Sequence, residues 1–106
     1  MNGIELIATE RDRQVESEGW TSDHDAKHTP GDLAKAGSSY ASVGASQLCL
    51  DLRFAPTDSP SRDWRWPFDW RWWKPSEDPI RNLVKAGALI AAEIDRELRK
   101  RGQYFK

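Results

Sequence analysis

Apolar positions recur with a helical period in three stretches of the chain and with a strand period in one. In the first stretch Ile4, Ile7, Ala8 and Val15 share a face, with charged residues opposite. Asn2 stands three residues before Glu5, the spacing of a capping box, so a helix is predicted to start there; Gly19 supplies its stop. The second stretch follows Thr29-Pro30, which reads as an N-cap with proline at the first helical position. Leu33, Ala34, Gly37, Tyr40 and Ala41 then repeat at helical spacing until Gly44. The third stretch opens on Asp78-Pro79 and carries Ile80, Leu83, Val84, Gly87, Ile90, Ala91, Ile94 and Leu98 as one stripe. Arg96, Arg99, Lys100 and Arg101 suit the negative end of its dipole, and Gly102 ends it.

Between the second and third helices the pattern changes. Leu48 to Phe54 alternates strictly, which predicts a short strand near 47–54, or an extended loop in its place. Ala55 to Ser61, rich in Pro and Ser, is a turn-forming linker. The expected fold is mainly α: one three-helix domain over 1–106, with an irregular tryptophan-rich segment before the long C-terminal helix.

That segment, Asp63–Pro75, places Trp64, Trp66, Trp70, Trp72 and Trp73 within ten residues and interleaves them with Arg65, Arg71 and Lys74. Pro67 and Pro75 exclude a regular helix across it. Two readings follow. The rings fill a core that Ala- and Gly-rich helices cannot fill alone, or one or two of them line a pocket. A Trp face stacks well on an aromatic ligand, and an adjacent Arg offers a planar fork for phosphate. Five tryptophans exceed what a three-helix core of this size requires, so at least one is expected at the surface or an interface.

A second dense constellation is Glu18 to His28, where His24-Asp25 and His28 give an H-D-x-x-H spacing. On a helix this puts two imidazoles on one face, as in metal-binding helices. Gly19 and Pro30 flank the segment, so the alternative is a polar loop whose histidines hydrogen-bond or touch a ligand; no metal ligand is assigned to them.

Charge narrows the classes of partner. The net charge is −1, but residues 1–53 carry five Lys/Arg against nine Asp/Glu, and residues 54–106 carry eleven against eight. A surplus of three cations in the second half suits a small anion and disfavours duplex DNA. No apolar run approaches the ~20 residues of a membrane span, and the N-terminus lacks the pattern of a signal peptide. With the single cysteine Cys49, this points to a cytoplasmic setting.

The pattern E-R-x-R-Q-x-x-x-E-G-W-T-x-x-H-D-x-x-H (Glu10 to His28), then W-P-F-D-W-x-W-W-K-P (Trp66 to Pro75) and R-N-L-V-K-A-G-A-L-I-A-A-E-I (Arg81 to Ile94), resembles a family of short proteins carried by bacteriophages and prophages. The likeness spans most of the chain apart from Val43–Asp63. More distantly, Arg13 to Thr21 and Lys27 to Pro30 are similar to the repeat domain of ryanodine receptors. The first resemblance implies a phage accessory protein acting in the host cytoplasm. Such proteins blunt host defence by sequestering a nucleotide immune signal or by binding a defence protein.

The leading expectation is therefore a non-catalytic nucleotide-binding module, oligomeric and without a cofactor. Stacking is expected from Trp20, Trp66, Trp70 or Trp73 and phosphate contacts from Arg65, Arg71, Lys74 or Lys85. Ribose or base-edge contacts would come from His24, His28 or Gln14. One alternative is a protein-binding inhibitor of a host enzyme, since Trp and Arg dominate interface hot spots. The other is a metal-dependent nucleotide phosphohydrolase using Glu10, Glu18, Glu93 and Asp95. Glu93 and Asp95 stand two apart, a spacing that does not put both on one helix face.

Overall fold

The computed structural model describes residues 1–18, 29–49 and 66–102, without the side chains of Glu18 and Trp70. The described residues form three α-helices, α1 (Gly3–Glu18), α2 (Asp32–Leu48) and α3 (Pro79–Lys100), with a single 3-10 turn over Trp70–Trp72 and no strand. The chain is mainly α, and α3 packs against both α2 and α1. No described helix is long and apolar enough to cross a membrane.

The helix starts follow local chemistry closely. Glu5 N–H donates to Asn2 Oδ1 at 2.9 Å and Asn2 N–H to Glu5 Oε1 at 3.1 Å, a reciprocal pair that satisfies two N-terminal donors of α1. Asp78 accepts from Ile80 N at 3.0 Å, with Pro79 opening α3. The start of α2 is displaced from Thr29-Pro30: both lie in a turn, and Gly31, with φ of 93°, is the N-cap. Its first turn takes a cap from across the molecule instead, because Ala34 N donates to Glu93 Oε1 of α3 at 3.3 Å. A carboxylate is favourable there, where the helix dipole is positive.

Helix α2 does not stop at Gly44. It continues to Leu48, so Gln47 and Leu48 are helical rather than the start of a strand, and 50–54 and the linker lie outside the described residues. Gly44 is a contact point. A Cβ there would lie 3.0 Å from Leu83 Cγ and 3.1 Å from Pro79 O, and one at Gly37 would lie 3.0 Å from Ala86 O. Two missing side chains thus let α2 and α3 approach closely. The core between them is correspondingly lean: Leu33, Ala36 and Tyr40 of α2 against Ala86, Leu89 and Ala92 of α3, completed by Trp66, Phe68 and Trp73.

This close approach decides which faces are buried, and it overturns two readings. The predicted stripe of α3 is largely outward: Ile80 is 58% exposed, Leu83 38%, Ile90 42% and Ile94 53%. The face that packs carries Asn82, Val84, Ala86, Ala88, Leu89, Ala92, Glu93 and Arg96. Small residues bring the two backbones together, and Leu83 and Ile90 lie at the edge of the seam, beside Gly44 and Gly37, with part of each side chain left outside. On α1, likewise, Ile4 is exposed, and the buried residues are Glu10 and Gln14. Ile7 makes the apolar contact, reaching the bare backbone of Gly87.

Candidate functional site

Asp69 shapes the tryptophan segment. Its carboxylate Oδ1 accepts from Arg71 N at 3.0 Å, while its carbonyl accepts from Trp72 N at 3.0 Å and from the Trp66 indole Nε1 at 3.3 Å. An aspartate that bonds the backbone two residues on starts a tight turn, and the 3-10 turn follows from it. The turn separates the last two rings. Trp73 and Trp66 fold inward onto Tyr40, at ring-centroid distances of 4.8 and 5.7 Å, and contact each other edge-on at 4.9 Å. Phe68 closes the cluster against Trp66. Trp72 points outward, 44% exposed, with the Arg71 guanidinium 5.5 Å and the Lys74 ammonium 5.6 Å from its ring centroid.

Hydrogen bonds fix this turn to both helices. Tyr40 OH accepts from Lys74 N at 3.0 Å, and Lys85 Nζ donates to Lys74 O at 2.6 Å while lying 5.4 Å from the Tyr40 ring centroid. Downstream, the fully buried Asn82 accepts from Ser76 N and donates to Ser76 O and Gln47 Oε1, each at 2.8 Å. Gln47 in turn donates to Ser76 O and Glu77 O. The segment is therefore held by polar groups of α2 and α3 as well as by its rings.

Beside Trp72 lies a small recess lined by Glu10, Arg13, Gln14, Tyr40, Trp72, Lys74, Lys85 and Leu89, with a volume of about 20 Å³. Three cations face one carboxylate, so the recess favours anions. The carboxylate is committed. Glu10 Oε1 lies 2.8 Å from Arg13 Nε and 2.7 Å from Arg81 Nη2, and Oε2 accepts from Arg13 Nη2 at 2.8 Å. Burial raises its pKa, but the two guanidiniums outweigh burial and hold it below the usual glutamate range. Gln14 Nε2 donates to Glu10 Oε2 at 3.3 Å, while Gln14 Oε1 is buried with no hydrogen-bond partner among the described residues. A wider, open groove of about 450 Å³ runs along Leu6, Thr9, Ile80 and Val84, and its two guanidiniums are the pair engaged by Glu10.

Of the residues expected to form a site, Lys74 and Lys85 line the recess and Arg71 lies at its exposed ring. Trp66 and Trp73 are half-buried members of the aromatic cluster. The backbone of Trp70 opens the turn. Trp20, His24, His28 and Arg65 lie outside the described residues. Sequence reasoning missed Trp72 as the outward ring and Arg13 and Tyr40 as neighbours. The Trp72-Trp73 dipeptide carried a usable signal, because adjacent rings in a tight turn cannot both point inward. The carboxylates proposed for metal binding have other partners: Glu10 the two arginines, Glu93 the first turn of α2. Among the described residues no group of three or more His, Cys, Asp or Glu is placed to hold a metal. Among known protein families, curated proteins and solved structures, none matches the chain.

Proposed function

We propose that this chain is a non-catalytic module that binds a nucleotide or nucleotide-derived signal at Trp72, Arg71, Lys74 and Lys85. The observation that carries the reading is the outward Trp72 ring, flanked by two cations and bordering a cation-rich recess. A base stacks on the indole, and Arg71 or Lys74 moves from the ring to the phosphate. Stacking of this kind is worth about 1–3 kcal/mol per base. The sequence resemblance to phage proteins supports a role in counter-defence within the host cytoplasm, where sequestering the ligand is itself the function.

Calorimetry with a panel of linear and cyclic nucleotides and ADP-ribose tests this. Saturable binding that falls roughly tenfold in Trp72→Ala, with the fold intact, is the expected result. No binding to any member of the panel refutes it.

Self-association belongs to the same proposal. It is supported by the outward Ile80, Leu83, Ile90 and Ile94, which share one face of α3, with Gly87 between Leu83 and Ile90, at spacings that helix-pairing positions use. A second copy offering the same stripe would cover both.

A further inference from the structure

Ile80, Leu83, Ile90 and Ile94 share an outward face of α3, and the position between Leu83 and Ile90 belongs to Gly87, which has no side chain. Ile7 of α1 fills the gap. Its Cδ1 lies 2.5 Å from where a Cβ on Gly87 would stand, so the apolar surface is continuous. On one side this surface is bounded by the seam with α2 at Gly37 and Gly44. On the other it is bounded by Arg81, whose guanidinium reaches Glu10 of α1. Asp95 stands on the same flank as Arg81. Ile80 and Ile94 are fourteen residues apart, about four helical turns, and Arg81 and Asp95 follow them by one residue each.

We propose that α3 pairs antiparallel with α3 of a second copy, about a two-fold axis near Gly87, with Ile94 and Asp95 of the partner subunit entering the groove beside Ile80 and Arg81. The inference rests on the self-association read above and adds its geometry. A two-fold interface must be self-complementary, each patch meeting its own reversed copy. The stripe meets that condition, because Ile80 and Ile94 stand seven residues on either side of Gly87 and reversal exchanges them. Charge then selects the direction. Arg13, Arg81 and Glu10 form a cluster with one excess positive charge, beside the open groove of about 450 Å³ along Leu6, Ile80 and Val84. Asp78 also lines this groove, but its carboxylate is committed to the Ile80 amide. Under an antiparallel two-fold, like flanks face each other, which sets the partner's Asp95 against Arg81 and repeats the contact on the other side of the axis. A parallel pair would leave Arg81 about four turns from the partner's Asp95 and would align the two helix dipoles. Lys85 and Leu89, which border the recess at Trp72, fall on the opposite side of α3 by helical period. The pairing surface and the proposed nucleotide site therefore use different faces of one helix.

The test cross-links chains in which the exposed Cys49 is replaced (Cys49→Ser) and one new cysteine is placed on the stripe. One chain carries Ile80→Cys, the other Ile94→Cys with a tag, so that mixed dimers are recognised by mass. A short bismaleimide is expected to link the mixture several-fold more than either chain alone. Separately, Asp95→Arg, with helicity checked by circular dichroism, should raise the dimer dissociation constant roughly tenfold in sedimentation, since both contacts with Arg81 become like-charged. Linking of Ile80→Cys to itself as strongly as to Ile94→Cys, or a dissociation constant unchanged in Asp95→Arg, overturns the antiparallel arrangement and leaves self-association standing. A monomeric wild type overturns both. If the cysteine variants do not associate, Asp95→Arg on the otherwise unaltered chain decides alone.

Discussion

At the scale of single residues, Glu10 is the clearest case of a charge whose burial depends on its partners. Replacing it with Ala leaves Arg13 and Arg81, both partly exposed, facing each other without their shared counter-ion, and should cost about 1–2 kcal/mol in urea unfolding. The pH dependence has a definite sign. Glu10 has a folded pKa below its unfolded one, so its contribution is complete above the ordinary glutamate range and is lost as pH falls through the lowered folded value. The stability gap between wild type and Glu10→Gln should therefore be constant near neutrality and close only in acid. The tryptophans divide in the same way. Trp73→Ala should lower the melting temperature, because it opens the cluster around Tyr40, whereas Trp72→Ala should leave it nearly unchanged. Which ring plays which part was not legible from composition. It depends on Asp69 setting the turn, its carboxylate accepting from Arg71 N and its carbonyl from Trp72 N.

At the scale of elements, the ends of α1 and α3 could be read from the chain because capping is local chemistry: Asn2 with Glu5, and Asp78 with Pro79. The faces could not. A periodicity argument assumes that the bulkiest stripe is the buried one, and in α3 the buried face sets Ala86, Ala88 and Ala92 beside Val84 and Leu89, with a buried asparagine, glutamate and arginine. What selects that face is the fit of Gly37 and Gly44 against it, a match between segments some forty residues apart. The same fit reverses an ordinary expectation for glycine in a helix. Ala at either position should gain about 1 kcal/mol of helix propensity and still destabilise the protein by about 1–2 kcal/mol, since the new methyl meets backbone carbonyls of Ala86 or Pro79. Thermal unfolding of Gly37→Ala and Gly44→Ala checks this. Gly87→Ala meets a side chain and not backbone, and should displace Ile7, whose Cδ1 and Cγ1 would lie 2.5 and 2.8 Å from the new methyl, loosening the contact of α1 with α3.

At the scale of the whole molecule, the mainly helical architecture was legible, and so was the placing of an irregular aromatic segment against it. The outward stripe of α3 gives the proposed self-association a direct measurement. Sedimentation of the wild-type chain should show a multimer, and Ile90→Asp or Ile94→Asp should shift it to monomer with unchanged helicity. A monomeric wild type would remove that part of the proposal.

Finally, the turn that carries Trp72 is anchored at Lys74 by Tyr40 and Lys85, and at Ser76 by Asn82. Such a platform is already in place when a ligand arrives. Little ordering remains to be done on contact. In stopped-flow mixing, the quenching of Trp72 by a bound nucleotide should then follow a single phase whose rate rises linearly with concentration. Differences among ligands should be written almost wholly in how long each one stays.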